Sequence, residues 1–152
     1  MNRLNIAVIF GGQSPEYTVS LQSAGAVIKA IDKNLYDVVM IGIDRSGAWY
    51  HYSGDEELIA ADAWRNDTFC KRAVIVPDRD VRGMLEPDSG GNRFTHLDAA
   101  FPILHGKNGE DGTIQGLLEL AGIPVIGCGT LFLSLSIHKA EESVPHPMAF
   151  LS

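Results

Sequence analysis

An open, mostly parallel α/β sheet with helices on both faces is expected for this chain, and three observations carry the expectation. Two short, almost uninterrupted apolar runs, residues 5–10 (NIAVIF) and 36–43 (YDVVMIGI), flank a stretch of helical periodicity, the pattern of a right-handed βαβ unit. A third apolar run, 99–104 (AAFPIL), stops at a polar glycine loop, 105–112 (HGKNGEDG), and a second helical pattern starts at Thr113. Strands that are apolar throughout belong to sheets covered on both sides.

The elements follow in order. Residues 5–10 read as a buried strand with β-branched content. Gly11, Gly12, Gln13, Ser14 and Pro15 break it. From Glu16 to Ile31 the pattern is helical, with Ser20, Ala24, Val27, Ile28 and Ile31 on one packing face. Pro15 stands where its missing N–H costs nothing. After the strand 36–43, residues 44–47 (DRSG) are turn chemistry, and 48–52 (AWYHY) pair back antiparallel as a hairpin. A short helix is expected over 56–64, a weak strand over 73–76, and a small hairpin within 78–92. Regular α/β order resumes with the strand 99–104 and a helix over 113–121, which Gly122 closes. A short strand at 124–126, a turn at 127–129 and a helix from Thr130 to Lys139 complete the reading.

Composition narrows the function. At 152 residues, 45% of them hydrophobic and 20% charged, the chain has the make-up of one ordinary domain with a real core. No apolar run reaches the roughly 18 residues a membrane span requires, and no signal peptide is visible, so a cytoplasmic protein is expected. The net charge is -7, and Lys71–Arg72 is the one adjacent basic pair. Nucleic acid is therefore not an expected partner, because phosphate contacts need concentrated Lys and Arg. Cys70 and Cys128 lie far apart and read as two reduced thiols. His51, His138 and His146 form no metal-spaced cluster and read as surface residues, so no metal site is expected.

Ligands of parallel α/β sheets sit beyond the carboxyl ends of the strands. Three glycine-rich turns would share that edge: 11–16, 105–112 and 127–130. Glycine lets a ligand approach the backbone and lets N–H groups point outward. Glu16, at a helix start, either interacts with the helix dipole or aims a carboxylate at a ligand's amine. Ser20, one turn later, either packs beneath the sheet or belongs to the same site. Glu110 and Asp111 either serve the next helix N-terminus or the loop's ligand. His105, at a strand's carboxyl end, favours a site role. Gly127 and Gly129 lack the third glycine of a dinucleotide fingerprint, and no Walker-type Gly-Lys-Ser/Thr occurs. Trp49, Tyr50 and Tyr52 read as packing on the sheet rather than as a binding patch.

Residues 8–21 (VIFGGQSPEYTVSL) resemble the opening motif of the D-alanine–D-alanine ligase family, and 105–116 (HGKNGEDGTIQG) match its first signature; 117–139 continue the resemblance. Residues 41–52, with Tyr17 after the glutamate, are most similar to VanG-type D-alanine–D-serine ligases. The resemblance implies a Rossmann-like N-terminal domain of an ATP-grasp ligase. Such an enzyme uses ATP and Mg2+ to activate one D-alanine and joins it to a second D-amino acid, D-alanine or D-serine, for the peptidoglycan precursor. Glu16 would hold the amine of the first D-alanine and Ser20 would support Glu16. His105 would lie beside the activated carboxyl. Gly11, Gly12, Val19, Gly106, Gly109, Glu110, Asp111 and Gly112 would shape the substrate pocket, and Lys139 would neutralise ATP phosphates. His138 stands where the family has an acidic residue before that lysine. The resemblance gives 1–139 as the substrate domain and 140–152 as a truncated or linker-like tail without the ATP-grasp lobes, inactive alone. A homodimer through this domain is also implied. A contrasting expectation is a non-catalytic α/β module that binds a small ligand or itself.

Overall fold

The computed structural model describes residues 3–88, 90–104 and 112–127. The described chain runs β1 (Leu4–Gly11), α1 (Tyr17–Ala30), β2 (Tyr36–Ile43), β3 (Trp49–Tyr52), α2 (Glu57–Ala60), β4 (Cys70–Arg72), β5 (Val74–Ile75), β6 (Gly83–Glu86), β7 (Arg93–His96), β8 (Ala99–Ile103) and α3 (Thr113–Leu120). One sheet has the order β4-β3-β2-β1-β8, and a smaller one has the order β5-β6-β7.

The centre of the larger sheet is parallel. β1 pairs with β2 from Leu4–Tyr36 to Gly11–Ile43, and with β8 from Ile6–Ala99 to Phe10–Ile103. Beyond β2 the sheet is mixed, because β3 turns back as the expected hairpin and β4 pairs antiparallel with it. The strand expected at 124–126 is a single parallel bridge between Val125 and Ala100.

The period-two alternation of β1 assigns its side chains to two cores. Ile6, Val8 and Phe10 pack with Leu21, Ala24, Val27 and Ile28 of α1. Ala7 and Ile9 pack with Ile114 and Leu118 of α3. Helices therefore cover both faces, and this is why β1 shows no polar residue between Ile6 and Phe10. Each Ile, Val or Phe so buried contributes about 1.5–3 kcal/mol, which makes β1 the best-anchored strand.

Several elements depart from the expectations. The helix of 56–64 shortens to Glu57–Ala60, because Asp62 adopts φ 56 and turns the chain so that Trp64 enters the core. The strand of 73–76 is Val74–Ile75, and Cys70–Arg72 is a further strand that the pattern did not reveal. The hairpin spans β6 and β7, whose second strand reaches His96, beyond the expected limit. His51 is not a free surface residue: Nδ1 lies 2.9 Å from Oε1 of the buried Glu86, which links the two sheets. Cys70 is a free, buried thiol, as expected. Cys128, His138, His146 and the helix expected over 130–139 lie outside the described residues.

Candidate functional site at the carboxyl ends of β1 and β8

β1 ends in two glycines with positive φ, 94° at Gly11 and 101° at Gly12. A Cβ on Gly11 would stand 2.1 Å from the Ile43 carbonyl oxygen. The Gly12 N–H donates to that same oxygen at 2.8 Å, so the chain folds tightly over the end of β2. The Glu16 N–H then donates to Ser14 Oγ at 3.0 Å, and α1 begins.

Glu16 is exposed at the N-terminus of α1, and its carboxylate makes no capping hydrogen bond. Val19, one turn on, is 52% exposed. Ser20 is wholly buried, and its hydroxyl does something the sequence did not predict. Oγ accepts the Gly11 N–H at 2.8 Å and donates to the Ile103 carbonyl. A single side chain on α1 thus clasps the last residues of β1 and β8. Its link to Glu16 is through the backbone, where the Ser20 N–H donates to the Glu16 carbonyl at 3.0 Å.

A cavity of about 210 Å³ opens beside this clasp. Gly11 and Gly12 line one side, Leu104 and Thr113 another, and Gly47 and Trp49 of the β2–β3 hairpin a third. His105, Gly106, Gly109, Glu110 and Asp111 lie outside the described residues, but the described residues that flank them, Leu104 on one side and Gly112 and Thr113 on the other, reach or adjoin this cavity. Gly112 is the N-cap of α3 with φ 87, and its carbonyl accepts the Gly116 N–H at 2.9 Å. Of the predicted site residues, the structure therefore brings Gly11 and Gly12 to the cavity and Gly112 to its edge. Ser20 sits beneath the strand ends, and Glu16 and Val19 lie on the exposed first turn of α1. Lys139 lies outside the described residues. Trp49, read from sequence as packing, is half-buried and lines the cavity, whereas Tyr50 and Tyr52 pack edge-on to Trp64 as expected.

Tyr17 enters the sequence reading only as a mark of resemblance, with no structural role assigned, although the apolar period of α1 continues back to it. It is buried, its hydroxyl accepts the Trp64 Nε1–H at 2.9 Å, and burial raises its pKa above the ordinary phenol value. Gln13, read from the sequence only as part of the chain break, has its Oε1 2.8 Å from where a Cβ of Gly47 would stand, so the hairpin turn and the β1–α1 loop touch. At the far end of α3, Arg79 donates to the Glu119 carbonyl at 3.0 Å and Arg82 to the Gly122 carbonyl at 3.1 Å. These cations satisfy and neutralise the negative helix end.

Among the described residues no three His, Cys, Asp or Glu side chains converge as a metal site. No described helix is long and apolar enough to cross a membrane.

Comparison with known proteins agrees with this geometry. The family model described as the D-ala D-ala ligase N-terminus matches residues 5–128. A D-alanine–D-alanine ligase of Thermoanaerobacter sp. (strain X514) is 43% identical over 154 residues, covering 97% of this chain and 42% of that protein. The vancomycin/teicoplanin A-type resistance protein VanA of Enterococcus faecium is 44% identical, covering 92% of this chain and 39% of that one. Among solved structures, the VanG D-Ala:D-Ser ligase from Enterococcus faecalis superposes with a TM-score of 0.77 at 46% identity, covering 93% of this chain and 41% of that one. The D-alanine–D-alanine ligase from Coxiella burnetii superposes with a TM-score of 0.71 at 29% identity, over 92% of this chain and 42% of that one. The chain thus spans about two-fifths of the length of these relatives.

Proposed function

We propose, since the chain belongs to the D-ala D-ala ligase N-terminus family, that it forms the first-substrate half of a ligase joining D-alanine to a second D-amino acid for the peptidoglycan precursor. The observation that carries this reading is the Ser20 clasp. It holds side by side the ends of the two parallel strands that lead into the two family motifs. Glu16 receives the ammonium group of D-alanine, because its carboxylate is exposed at the start of α1 and is not taken up by a helix-capping hydrogen bond. Gly11, Gly12 and Gly112 keep side chains away from the cavity rim, and Val19 flanks Glu16. His105, with Gly106, Gly109, Glu110 and Asp111, completes the pocket on the side of the substrate carboxyl, where donors stabilise developing negative charge.

The described cavity is lined by glycine, apolar and neutral polar residues and carries no cation. That lining offers neither a cation for ATP phosphates nor a carboxylate for Mg2+. Lys139, which would meet the ATP phosphates, lies outside the described residues. A cytoplasmic location, a homodimer, and D-alanine or D-serine as second substrate belong to the same proposal, as does the division into a substrate domain over 1–139 and a tail over 140–152.

Calorimetric titration with D-alanine and L-alanine tests the reading. D-alanine is expected to bind in preference to L-alanine. Glu16→Gln is expected to weaken D-alanine binding about 10- to 100-fold, the worth of one charge-assisted hydrogen bond. Equal binding of the two enantiomers, or no effect of Glu16→Gln, contradicts it. Self-association without ligand binding would favour a non-catalytic module instead.

A further inference from the structure

The carboxylate of Glu16 is exposed and has no side-chain capping bond to hold it. Its direction is therefore set by the backbone at the start of α1, and the residue that fixes that backbone is the next one. Tyr17 is held on three sides. Its hydroxyl accepts the Trp64 Nε1–H at 2.9 Å. Its ring lies under the Arg45 guanidinium, 4.0 Å from the ring centroid. Its edge packs on the Gly11 backbone, where a Cβ would come within 3.2 Å of Cε2.

The anchors are themselves fixed. Trp64 is wholly buried, edge-on to Phe10 at 5.1 Å between centroids, and fills the space that a Gly42 side chain would take. Arg45 pairs with Asp62 at 3.4 Å. Asp62 and Trp64 flank the segment that the left-handed backbone of Asp62 directs into the core. A rigid aromatic anchor therefore stands directly beside a carboxylate that no capping bond restrains. An active group must be held to within a fraction of an ångström to act well, and neighbours supply that restraint.

We infer that Tyr17, locked by Trp64 and Arg45, is the positioning residue that aims Glu16 at the substrate ammonium group. The inference rests on the proposed role of Glu16 as far as the ligand is concerned, and on geometry alone as far as the placement of Glu16 is concerned. Tyr17→Phe removes one hydrogen bond while keeping the ring, the stack and the packing, so the fold survives the change.

The test is nuclear magnetic resonance on the 152-residue chain and its Tyr17→Phe, Glu16→Gln and doubly substituted forms, with D-alanine as the probe. In Tyr17→Phe the Trp64 indole proton is expected to move upfield and the Glu16 amide to lose order on the nanosecond scale. D-alanine affinity is expected to fall about three- to tenfold, as for loss of one neutral hydrogen bond. In the Glu16→Gln background the same change is expected to cost no further affinity, because Tyr17 acts through Glu16. An unaltered Glu16 amide in Tyr17→Phe overturns the inference whether or not D-alanine binds. An equal loss of affinity in both backgrounds overturns it as well. Failure of the parent chain to bind D-alanine counts against the proposed function, and the Glu16 amide then decides the positioning role by itself.

Discussion

At Gly11 the backbone has φ 94, and any side chain would meet the Ile43 carbonyl. Both facts explain why a glycine pair follows the first strand, and the pair was legible in the sequence as a chain break. Which partner crowds it was not legible, because Ile43 lies on a different strand. Ser20 shows the same division. Its place on the packing face of α1 followed from spacing, but its two hydrogen bonds to the ends of β1 and β8 depend on tertiary contact. The clasp predicts a specific stability effect. Ser20→Ala leaves the Gly11 N–H and the Ile103 carbonyl buried without that partner, at about 1–3 kcal/mol for each group left unpaired. Urea unfolding is expected to show that loss, and Ser20→Thr, which keeps the hydroxyl, to recover part of it. An unchanged midpoint in Ser20→Ala contradicts the clasp.

Elements with strong periodicity were readable, and short ones were not. α1 and β2 fall where the pattern put them because burial on one or both faces imposes the period directly. β4, β5 and α2 are two to four residues long. Segments so short hold their shape through neighbours rather than through local preference. Trp64, which nucleates the cluster of Phe10, Tyr50 and Tyr52, lies in a stretch with no period at all. The β2–β3 turn, by contrast, announces itself as Asp-Arg-Ser-Gly, and its chemistry is electrostatic. Burial tends to raise the Asp44 pKa, but hydrogen bonds from Ser46 and Ala48 and the charge of Arg65 outweigh it and hold the carboxyl below its ordinary value. A carboxyl with a lowered folded pKa stabilises the protein above the unfolded pKa of about 3.9 and loses that contribution as pH falls through the folded value. Asp44→Asn is therefore expected to lower the melting temperature near neutral pH and to narrow the gap to the parent protein in acid. A gap that is constant across pH contradicts this account of the turn. Because Gln13 contacts Gly47 of the same turn, loosening it also loosens the rim of the cavity.

On the scale of the whole molecule, the parallel order β2-β1-β8 places the carboxyl ends of β1 and β8 side by side. That β1 and β8 end on one edge was legible because parallel strands share their carboxyl ends by geometry. The antiparallel extension to β4 and the contact of His51 with Glu86 that joins the two sheets were not, since both depend on pairings between residues far apart in sequence. The site itself is half visible in these terms: the glycine edge and Glu16 belong to the described residues, while His105 follows Leu104 just beyond them. The central claim is that Glu16 and His105 face one substrate. Chemical-shift mapping with isotope-labelled protein and D-alanine tests it most directly. The account predicts that the Glu16 carboxyl and the His105 ring resonances move together, with one saturation curve, and that L-alanine moves them far less. Resonances that respond with different midpoints, or a response confined to one of the two residues, would contradict it.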